Sequence, residues 1–490
     1  MHTAIWEKIR RRSLRSSFRF CSVFLCALLL CLPAQALMIR VGVEVGIPSA
    51  VISGQGIAAS AGGKRFAVPS SFTAQAHGAN VVIHGKSYAS PVILTSTQPI
   101  RCGKTAYEGE IVLRAQGGRL TVVNKLDVEK YLRGVLGIEI SPLWALEVLK
   151  AQAVISRTYA LSQMGRHSSQ GFDVCDTDHC QVYRGVNIHG ATTDQAVIQT
   201  RGQVVTYRGT LARTFFSSDS GGATSDIRDV WGKPEPYLVV RREPYPSQSP
   251  KAEWEATVSA AEIQNALAKK GKSVGTLREM AIIQRDAAGR PTMLRFTGSA
   301  GTSTLTSAEF RMLIGARKVR STFFEFSRAG ASSSSAEQRV SALRSVEQRK
   351  PAPRAMAGAP LNAEEKEHLR ALIAQKKFTV DERLDMLMYP ERERFYLNKA
   401  LGTVQDKTIV PPEPEKRPAP PQADVEENKP VRASAGVTSV TVAGAVSLYG
   451  RGWGHGVGLS QWGAKAMADH GWSAEKILNF YYPGTVIQRR

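Results

Sequence analysis

Between residues 38 and 125, apolar and polar positions alternate over short stretches, which predicts β-strands. Every second residue from Ile39 to Val45 is apolar, the spacing that places one face of a strand on a core. Further short apolar runs at 66–68, 81–83 and 92–94 are separated by Gly, Ser, Pro and Asn. Residues 110–114 and 119–124, joined by Gln116-Gly117-Gly118, form a predicted hairpin.

The apolar spacing becomes helical after Glu139. Ser141 is a suitable N-cap, and Pro142 suits the first helical position, where its missing N–H costs nothing. Apolar residues then recur at helical intervals: Leu143, Leu146, Leu149, Ala153 and Val154. We therefore predict that Glu139 lies on a tight turn before a long helix, with Lys150 and Arg157 on one helical face.

The later segments mix both patterns, so the predicted fold class is α+β. The core is predicted to be β-rich, with a long helix after the turn that carries Glu139. Further strands are predicted at 202–207, 211–216, 281–285 and 293–297, and further helices at 259–270, 307–313, 460–469 and 473–481.

A change in composition interrupts this core. Residues 329–340 are rich in Ser and Ala, and residues 411–430 contain seven prolines, a composition typical of a spacer. We predict a flexible insert at 328–436 with a helical island at 362–388. The core would then consist of residues 37–327 and 437–490.

The N-terminus and the net charge together indicate where in the cell the protein acts and which partners it meets. A net charge of +22 fits nucleic acid, membrane surfaces and anionic wall polymers. The first nineteen residues are rich in Lys and Arg, residues 20–32 are uncharged and apolar, and Ala34-Gln35-Ala36 matches a cleavage site. We predict a signal peptide at 1–36, cleaved after Ala36, with an uncleaved membrane anchor as the alternative. Export to the periplasm or cell envelope argues against nucleic acid as a partner.

Four potential metal ligands lie within fourteen residues: His167, Cys175, His179 and Cys180. Two thiolates and two imidazoles are a donor set for a closed tetrahedral zinc site. Because export also permits disulfides, a Cys175–Cys180 bridge is an alternative, and free thiols in a packed loop are another.

Glu139 is the candidate for acid–base chemistry. It lies between Ile138 and Ile140, and apolar surroundings raise a carboxyl pKa whereas nearby cations lower it. A general acid that works near neutral pH needs this balance. The alternative is a solvated glutamate that interacts with the dipole of the helix.

Two Gly-rich stretches are candidates for the walls of a groove. Residues 217–224 form a Ser/Gly turn whose backbone N–H groups and hydroxyls suit sugar hydroxyls or a carboxylate. A serine nucleophile is not supported, because the Gly-x-Ser-x-Gly pattern is absent. Glycines alternate from Gly450 to Gly458, which lets backbones approach closely beside His455, Ser460 and Gln461.

Several of these runs resemble the SpoIID/LytB family, which comprises stage II sporulation protein D and amidase enhancers. The first run is Tyr131-Leu132-x-Gly134-Val135, followed by Glu139 and then by Leu149-Lys150-Ala151-Gln152-Ala153 and Arg157-Thr158-Tyr159. The others are Thr177-x-x-Cys180-Gln181-x-Tyr183-x-Gly185, Ser220-Gly221-Gly222-x-Thr224 and the Gly-His-Gly run around His455.

The resemblance implies a peptidoglycan lytic transglycosylase. Such an enzyme cleaves the MurNAc–GlcNAc bond of peptide-stripped (denuded) glycan strands and forms 1,6-anhydro-MurNAc, with Glu139 as acid and then base. Some family members carry zinc at the cysteine segment. The alternative is a non-catalytic, glycan-binding enhancer of an N-acetylmuramoyl-L-alanine amidase, and the insert would recruit an amidase or a divisome component. The substrate-binding residues would be Lys150, Arg157, Tyr159, Gln181, Tyr183, Ser220, Thr224, His455, Ser460 and Gln461.

Overall fold

The computed structural model describes residues 37–250, 252–326, 361–374, 394, 397, 401 and 437–490. The predicted signal peptide and most of the predicted insert lie outside the described residues. Among the described residues, no helix combines the length and the apolar character needed to cross a membrane.

Two antiparallel sheets form the N-terminal part of the core. The first has seven strands, in spatial order Val174–Cys175, Met38–Ile47, Arg119–Asp127, Glu110–Gln116, Val92–Thr95, Ala58–Ala61 and Lys64–Ala67, and only its short edge strand runs parallel to its neighbour. The second has six strands, in spatial order Thr105–Tyr107, Ile100–Cys102, Ser49–Ser53, Ser71–His77, Asn80–Ile83 and Lys86–Ala89.

The predicted alternation holds in the first strand until its register shifts. Ile39, Val41 and Val43 are buried, whereas Val45 is 43% exposed. The pairing with Arg119–Asp127 is irregular after Gly42, and an irregularity of this kind turns the following side chains away from their original face. The predicted hairpin forms as expected, with Gln116 opposite Arg119.

Four of the described helices pack against one long helix. The described helices are Val128–Glu139, Leu146–Ser162, Ala191–Gln199, Ile227–Trp231, Ala260–Lys269, Ser307–Ile314, Ala363–Ala374, Gln461–Asp469 and Ala474–Tyr481. Leu146–Ser162, the long helix, is buried along most of its length. It contacts Val128–Glu139, Ala191–Gln199 and the two C-terminal helices.

The predicted start of the long helix is wrong. Val128–Glu139 is itself a helix, which we call the glutamate helix; Asp127 caps it by accepting the Glu129 N–H at 2.7 Å, and Glu139 is its last residue. The long helix begins only at Leu146, so Ser141 and Pro142 lie in the link. The signal for the first helix was present in the sequence, because its apolar residues follow the i, i+3, i+4 pattern after an acceptable cap.

A second hydrophobic core belongs to residues 253–326 and the start of the last segment. Its four-stranded sheet has the order Gly301–Thr306, Pro291–Gly298, Leu277–Arg285 and Thr438–Thr441. Its three-stranded sheet has the order Glu253–Ser259, Ala445–Arg451 and Phe324–Phe326. The last two strands lie on either side of the predicted insert, and Phe324 pairs with Gly450. The domain boundaries themselves stay a prediction.

Two small sheets join the last segment to the rest of the core. Thr210–Leu211, Gln203–Tyr207 and Val486–Arg489 form one of them, and Phe216–Ser217 with Leu459–Ser460 forms the other, as a parallel pair. This second pair brings the end of the glycine run beside the start of the Ser/Gly turn. The described structure is therefore a strand-rich α+β fold, in agreement with the predicted class.

Candidate functional site

Glu139 lies in a cleft of about 280 Å³ between the glutamate helix and the Gly-rich segments. The lining residues are Glu139, Tyr159, Asp178, Cys180, Gln181, Val182, Phe215, Phe216 and His455. Four predicted site residues with assigned substrate or acid–base roles therefore share one cleft, together with one predicted metal ligand. The walls combine aromatic rings with a few polar groups, the composition usual for sites that bind small organic groups.

The surroundings of Glu139 suit a group that exchanges protons near neutral pH. Burial raises the pKa of the Glu139 carboxyl to about 7, and a hydrogen bond from the Val182 backbone N–H opposes part of that rise. Both the acid and the carboxylate are therefore populated around pH 7, which is the condition for a general acid that later acts as a base.

Gln461 holds the backbone at Glu139. Its Nε2 donates to the Glu139 carbonyl oxygen at 2.8 Å and to Gln152 Oε1 at 3.4 Å. That carbonyl ends the glutamate helix and has no intrahelical donor of its own. The structure thus places Gln461 as a positioning residue under the cleft, whereas the sequence interpretation assigned it to substrate.

His455 lines the cleft as a neutral imidazole. Its Nδ1 accepts the Val457 N–H at 3.0 Å. Burial, together with the charges of Arg311 and Arg290, lowers the pKa of His455 to about 4. The ring therefore carries no charge at neutral pH.

The four predicted metal ligands converge at one point. Their donor atoms all lie within 4.8 Å of one another. His167 Nε2 is 3.3 Å from Cys180 Sγ, and His179 Nδ1 is 3.5 Å from the Sγ atoms of both Cys175 and Cys180. Zinc bonds of about 2.0–2.3 Å in a tetrahedron place ligand atoms roughly 3.5 Å apart, so these residues fit a metal. Both cysteines are free thiols in the structure.

We expect the purified protein to contain about one zinc per chain, because the cluster offers one closed set of four ligands. Cys180→Ser should lose most of that metal, since a hydroxyl is a far poorer zinc ligand than a thiolate. Elemental analysis by plasma mass spectrometry measures the ratio. Cys102→Ser is the control, because Cys102 is a buried cysteine outside the cluster and its variant should keep the metal. Protein without metal under non-chelating conditions would contradict the assignment.

The two predicted substrate cations have other partners. Lys150 Nζ pairs with Glu147 Oε1 at 2.7 Å on the same helix. The Arg157 side chain is fully buried, and its guanidinium forms two hydrogen bonds to Glu129, at 2.6 and 2.9 Å. Neither residue lines the cleft. In the structure Arg157 is therefore part of a buried ion pair with Glu129 and does not lie in the cleft beside Glu139.

Tyr183 and Thr224 also lie in the framework behind the cleft. The Tyr183 hydroxyl donates to Asn124 Oδ1 at 2.7 Å, and the Thr224 hydroxyl donates to the Val239 carbonyl at 2.8 Å. Both residues are at most 1% exposed. Neither residue lines the cleft, so the structure does not bring these two predicted substrate contacts to Glu139.

Ser220 and Ser460 belong to a buried polar cluster around Glu243. Glu243 Oε1 accepts the Ser220 hydroxyl at 2.7 Å and the Tyr481 hydroxyl at 2.9 Å. Ser460 caps the helix Gln461–Asp469 by accepting the Gly463 N–H. The cluster thus fastens the last segment to the Ser/Gly turn, away from the cleft lining.

Glu243 predicts a pH dependence of stability. Burial raises the pKa of its carboxyl to about 7, above its unfolded value of about 4.3. Its stabilising contribution is therefore complete below about pH 4 and is lost as the pH rises through 7. Melting temperatures measured from pH 5 to 8 should fall less steeply for Glu243→Gln than for the wild type. Identical slopes in the two proteins would contradict this assignment.

Sequence interpretation missed four residues that line the cleft. Asp178, Val182, Phe215 and Phe216 line it, and the Trp231 ring lies 5.0 Å from the ring of His455. Phe215 and Phe216 were read only as the end of a strand. Their position depends on the pairing of Phe216–Ser217 with Leu459–Ser460, for which the local sequence carries no signal.

Comparison with known proteins shows which family this part of the chain resembles. The model of the family described as "Stage II sporulation protein" (SpoIID) matches residues 116–207, the segment that contains the glutamate helix and all four metal-ligand candidates. The amidase enhancer of Bacillus subtilis is 26% identical over 360 residues, which are 73% of this chain and 40% of that protein.

Two further relatives match shorter parts. Stage II sporulation protein D of Bacillus subtilis is 29% identical over 208 residues, 38% of this chain and 59% of that protein. An uncharacterized protein of Brachyspira hyodysenteriae is 30% identical over 238 residues, 48% of this chain and 63% of that protein. This chain thus spans from two fifths to just under two thirds of these relatives. The family match covers the glutamate helix and its metal-ligand loop, so residues 116–207 are identified as a SpoIID domain.

Proposed function

We propose that this protein is a peptidoglycan lytic transglycosylase that cleaves the MurNAc–GlcNAc bond of peptide-stripped glycan strands. The observation that carries the proposal is the Glu139 carboxyl, which lies in an aromatic-walled cleft with a pKa raised by burial to about 7. A group with that pKa can give a proton and later take one at neutral pH.

One carboxyl can serve both steps of this reaction. Glu139 donates its proton to the glycosidic oxygen as the bond from that oxygen to C1 of the MurNAc unit breaks. The resulting carboxylate then takes the proton of the C6 hydroxyl of the same sugar, whose oxygen bonds to C1 and closes the 1,6-anhydro ring. The nucleophile is the sugar's own hydroxyl, so neither a water molecule nor a second carboxylate is required, in contrast to the usual glycoside hydrolases.

Because Asp178 also lines the cleft, the chemical nature of the product must decide between transglycosylation and hydrolysis. It is an exposed second carboxylate on the cleft, and a hydrolase would use such a pair. Amidase-treated sacculi should be digested in water enriched in oxygen-18, and the products examined by mass spectrometry. We expect 1,6-anhydro ends that carry no heavy oxygen, and an Asp178→Asn protein within about threefold of wild type, because hydrogen bonding at an exposed group contributes little. Reducing ends that carry one heavy oxygen would show hydrolysis.

The metal-ligand loop supports the same cleft. Cys180 and Gln181 line it, and the following N–H, that of Val182, hydrogen bonds to the Glu139 carboxyl. The Gln181 side chain accepts the hydroxyl of Tyr131, a residue of the glutamate helix, at 3.1 Å. A closed four-ligand zinc supplies structural rigidity, so we propose that His167, Cys175, His179 and Cys180 bind it to fix this loop.

A second function, enhancement of an amidase, is favoured by one observation. A relative whose match extends over 73% of this chain is named an amidase enhancer. In that case the cleft would bind glycan without turnover, and the segment 328–436 would recruit the amidase or a divisome component. Sacculi incubated with an N-acetylmuramoyl-L-alanine amidase, with and without this protein, separate the two functions. If this protein accelerates peptide release by the amidase, and the Glu139→Gln variant does so equally, the enhancer function would be supported.

Both functions require export. We propose that residues 1–36 are a signal peptide cleaved after Ala36, which would deliver the protein to the periplasm or cell envelope; the alternative is a retained N-terminal anchor. N-terminal sequencing of protein purified from the envelope fraction distinguishes a chain that begins at Leu37 from an intact one.

A further inference from the structure

Trp231 is exposed although it is held on a well-anchored element. Among the tryptophans that the structure describes, it alone is exposed, at 47%. It ends the short helix Ile227–Trp231, which Asp226 caps by accepting the Arg228 N–H at 2.8 Å. Ile227 is buried and fixes the helix to the core. An indole on such a support is presented to solvent in a defined orientation.

The indole continues the wall of the cleft outward. Its ring centroid is 5.0 Å from that of His455 and 4.8 Å from that of Phe215, and both of these residues line the cleft beside Glu139. Trp231 itself is not among the lining residues. Because it is exposed and contacts two of the lining residues, it lies beside the cleft at the protein surface.

The size of the cleft calls for additional binding surface. At about 280 Å³, it lies at the small end of ligand pockets, which run from about 300 to 1,000 Å³. A polymer must therefore extend beyond it on at least one side. A pyranose ring presents a flat face of C–H groups and a rim of hydroxyls, and the face of an indole is a rigid apolar surface of similar size with one polar N–H.

We propose that Trp231 is a stacking platform for a sugar ring of the glycan, next to the ring held in the cleft. This inference rests on the proposed function, since it takes the polymer at Glu139 to be a glycan. The neighbouring His455 ring is uncharged at neutral pH, so the wall that leads from Glu139 to Trp231 is aromatic and neutral, as a neutral sugar face requires. Trp231 would thereby set the length of glycan that the protein prefers.

Binding of oligomers of defined length tests the platform without turnover. The parent is the full chain with Glu139→Gln, and the probes are N-acetylglucosamine oligomers of two to six units, measured by calorimetry. Affinity of the parent should rise once the oligomer is long enough to reach Trp231. Adding Trp231→Ala should weaken binding of the long oligomers about tenfold and remove the gain with length. Trp231→Phe should retain most of the affinity.

The control variant is Tyr449→Ala. Tyr449 is an exposed aromatic residue on the strand Ala445–Arg451 and does not line the cleft. It should leave the affinities unchanged, and circular dichroism melts should show every variant folded. Equal affinities with and without Trp231→Ala, or equal losses from Tyr449→Ala, would overturn the platform while the product analysis on sacculi still tests the proposed function. If the parent binds no oligomer, the platform is overturned as well.

Discussion

Replacing Glu139 with glutamine is expected to lower glycan cleavage about a hundred- to ten-thousandfold, the range of a lost general acid–base group. Glutamine keeps the size of the side chain and the contact with the Val182 N–H, but it can neither donate the proton to the glycosidic oxygen nor take one from the C6 hydroxyl. Release of anhydro-ended products from amidase-treated sacculi, followed by chromatography with mass detection, measures the rate.

Asp178→Asn is the matched control for this substitution. It neutralises the other cleft carboxyl in the same way, but Asp178 is exposed whereas Glu139 is half-buried. We expect the cleavage rate of this variant to stay within about threefold of wild type, since Asp178 has no role in the proposed reaction. A folded Glu139→Gln protein that released products at the wild-type rate would remove Glu139 from the mechanism.

Arg157→Met is expected to lower the free energy of unfolding by about 3–5 kcal/mol, the cost of leaving one charge of a buried pair without its partner. The Arg157 side chain is fully buried, whereas that of Glu129 is 12% exposed. The guanidinium also donates to the Gln203 carbonyl at 3.1 Å, and the Gly202 N–H donates to Glu129 Oε1 at 3.0 Å. The substitution therefore disrupts the junction of three segments. Urea denaturation followed by circular dichroism gives the change.

Lys150→Met is the control, because Lys150 is the other cation of the long helix. Its pair with Glu147 is partly exposed on both sides, and such pairs contribute about 0–1 kcal/mol. We expect its unfolding midpoint to stay close to that of the wild type. If Arg157→Met unfolded like the wild type but bound glycan more weakly, Arg157 would return to the substrate-binding role that the sequence interpretation gave it.

Local signals in the sequence located most of the secondary structure. The first strand and the hairpin at 110–124 were predicted from alternating apolar residues and a Gly-Gly turn. Two later helices were predicted at 259–270 and 307–313, and in the structure Ser259 with Glu262 and Thr306 with Glu309 form capping boxes at their starts. Such features depend on residues within four positions of each other, so they can be recognised without the rest of the chain.

The sequence interpretation failed where two local signals competed or where a partner was distant. The Ser141-Pro142 pair looked like a helix start, yet the helical pattern already began after Asp127. The strand predicted at 211–216 is divided into Thr210–Leu211 and Phe216–Ser217. Its second part exists through pairing with Leu459–Ser460, and no pattern within a short window specifies a partner more than 240 residues away.

For the candidate site, the sequence by itself determined which residues could act as an acid or bind a metal. The tertiary structure decided which of the predicted residues lie together in the cleft. Glu139 and the four metal-ligand candidates were identified from residue type, spacing and resemblance, because a carboxyl can act as a general acid and thiolates with imidazoles can bind zinc. Only the fold showed that Gln461 holds the Glu139 carbonyl, that Arg157 is occupied by Glu129, and that Trp231 stands beside His455. The physical reason is that burial and contact, which set a pKa or make a side chain available to a ligand, arise from segments that meet only when the whole chain packs.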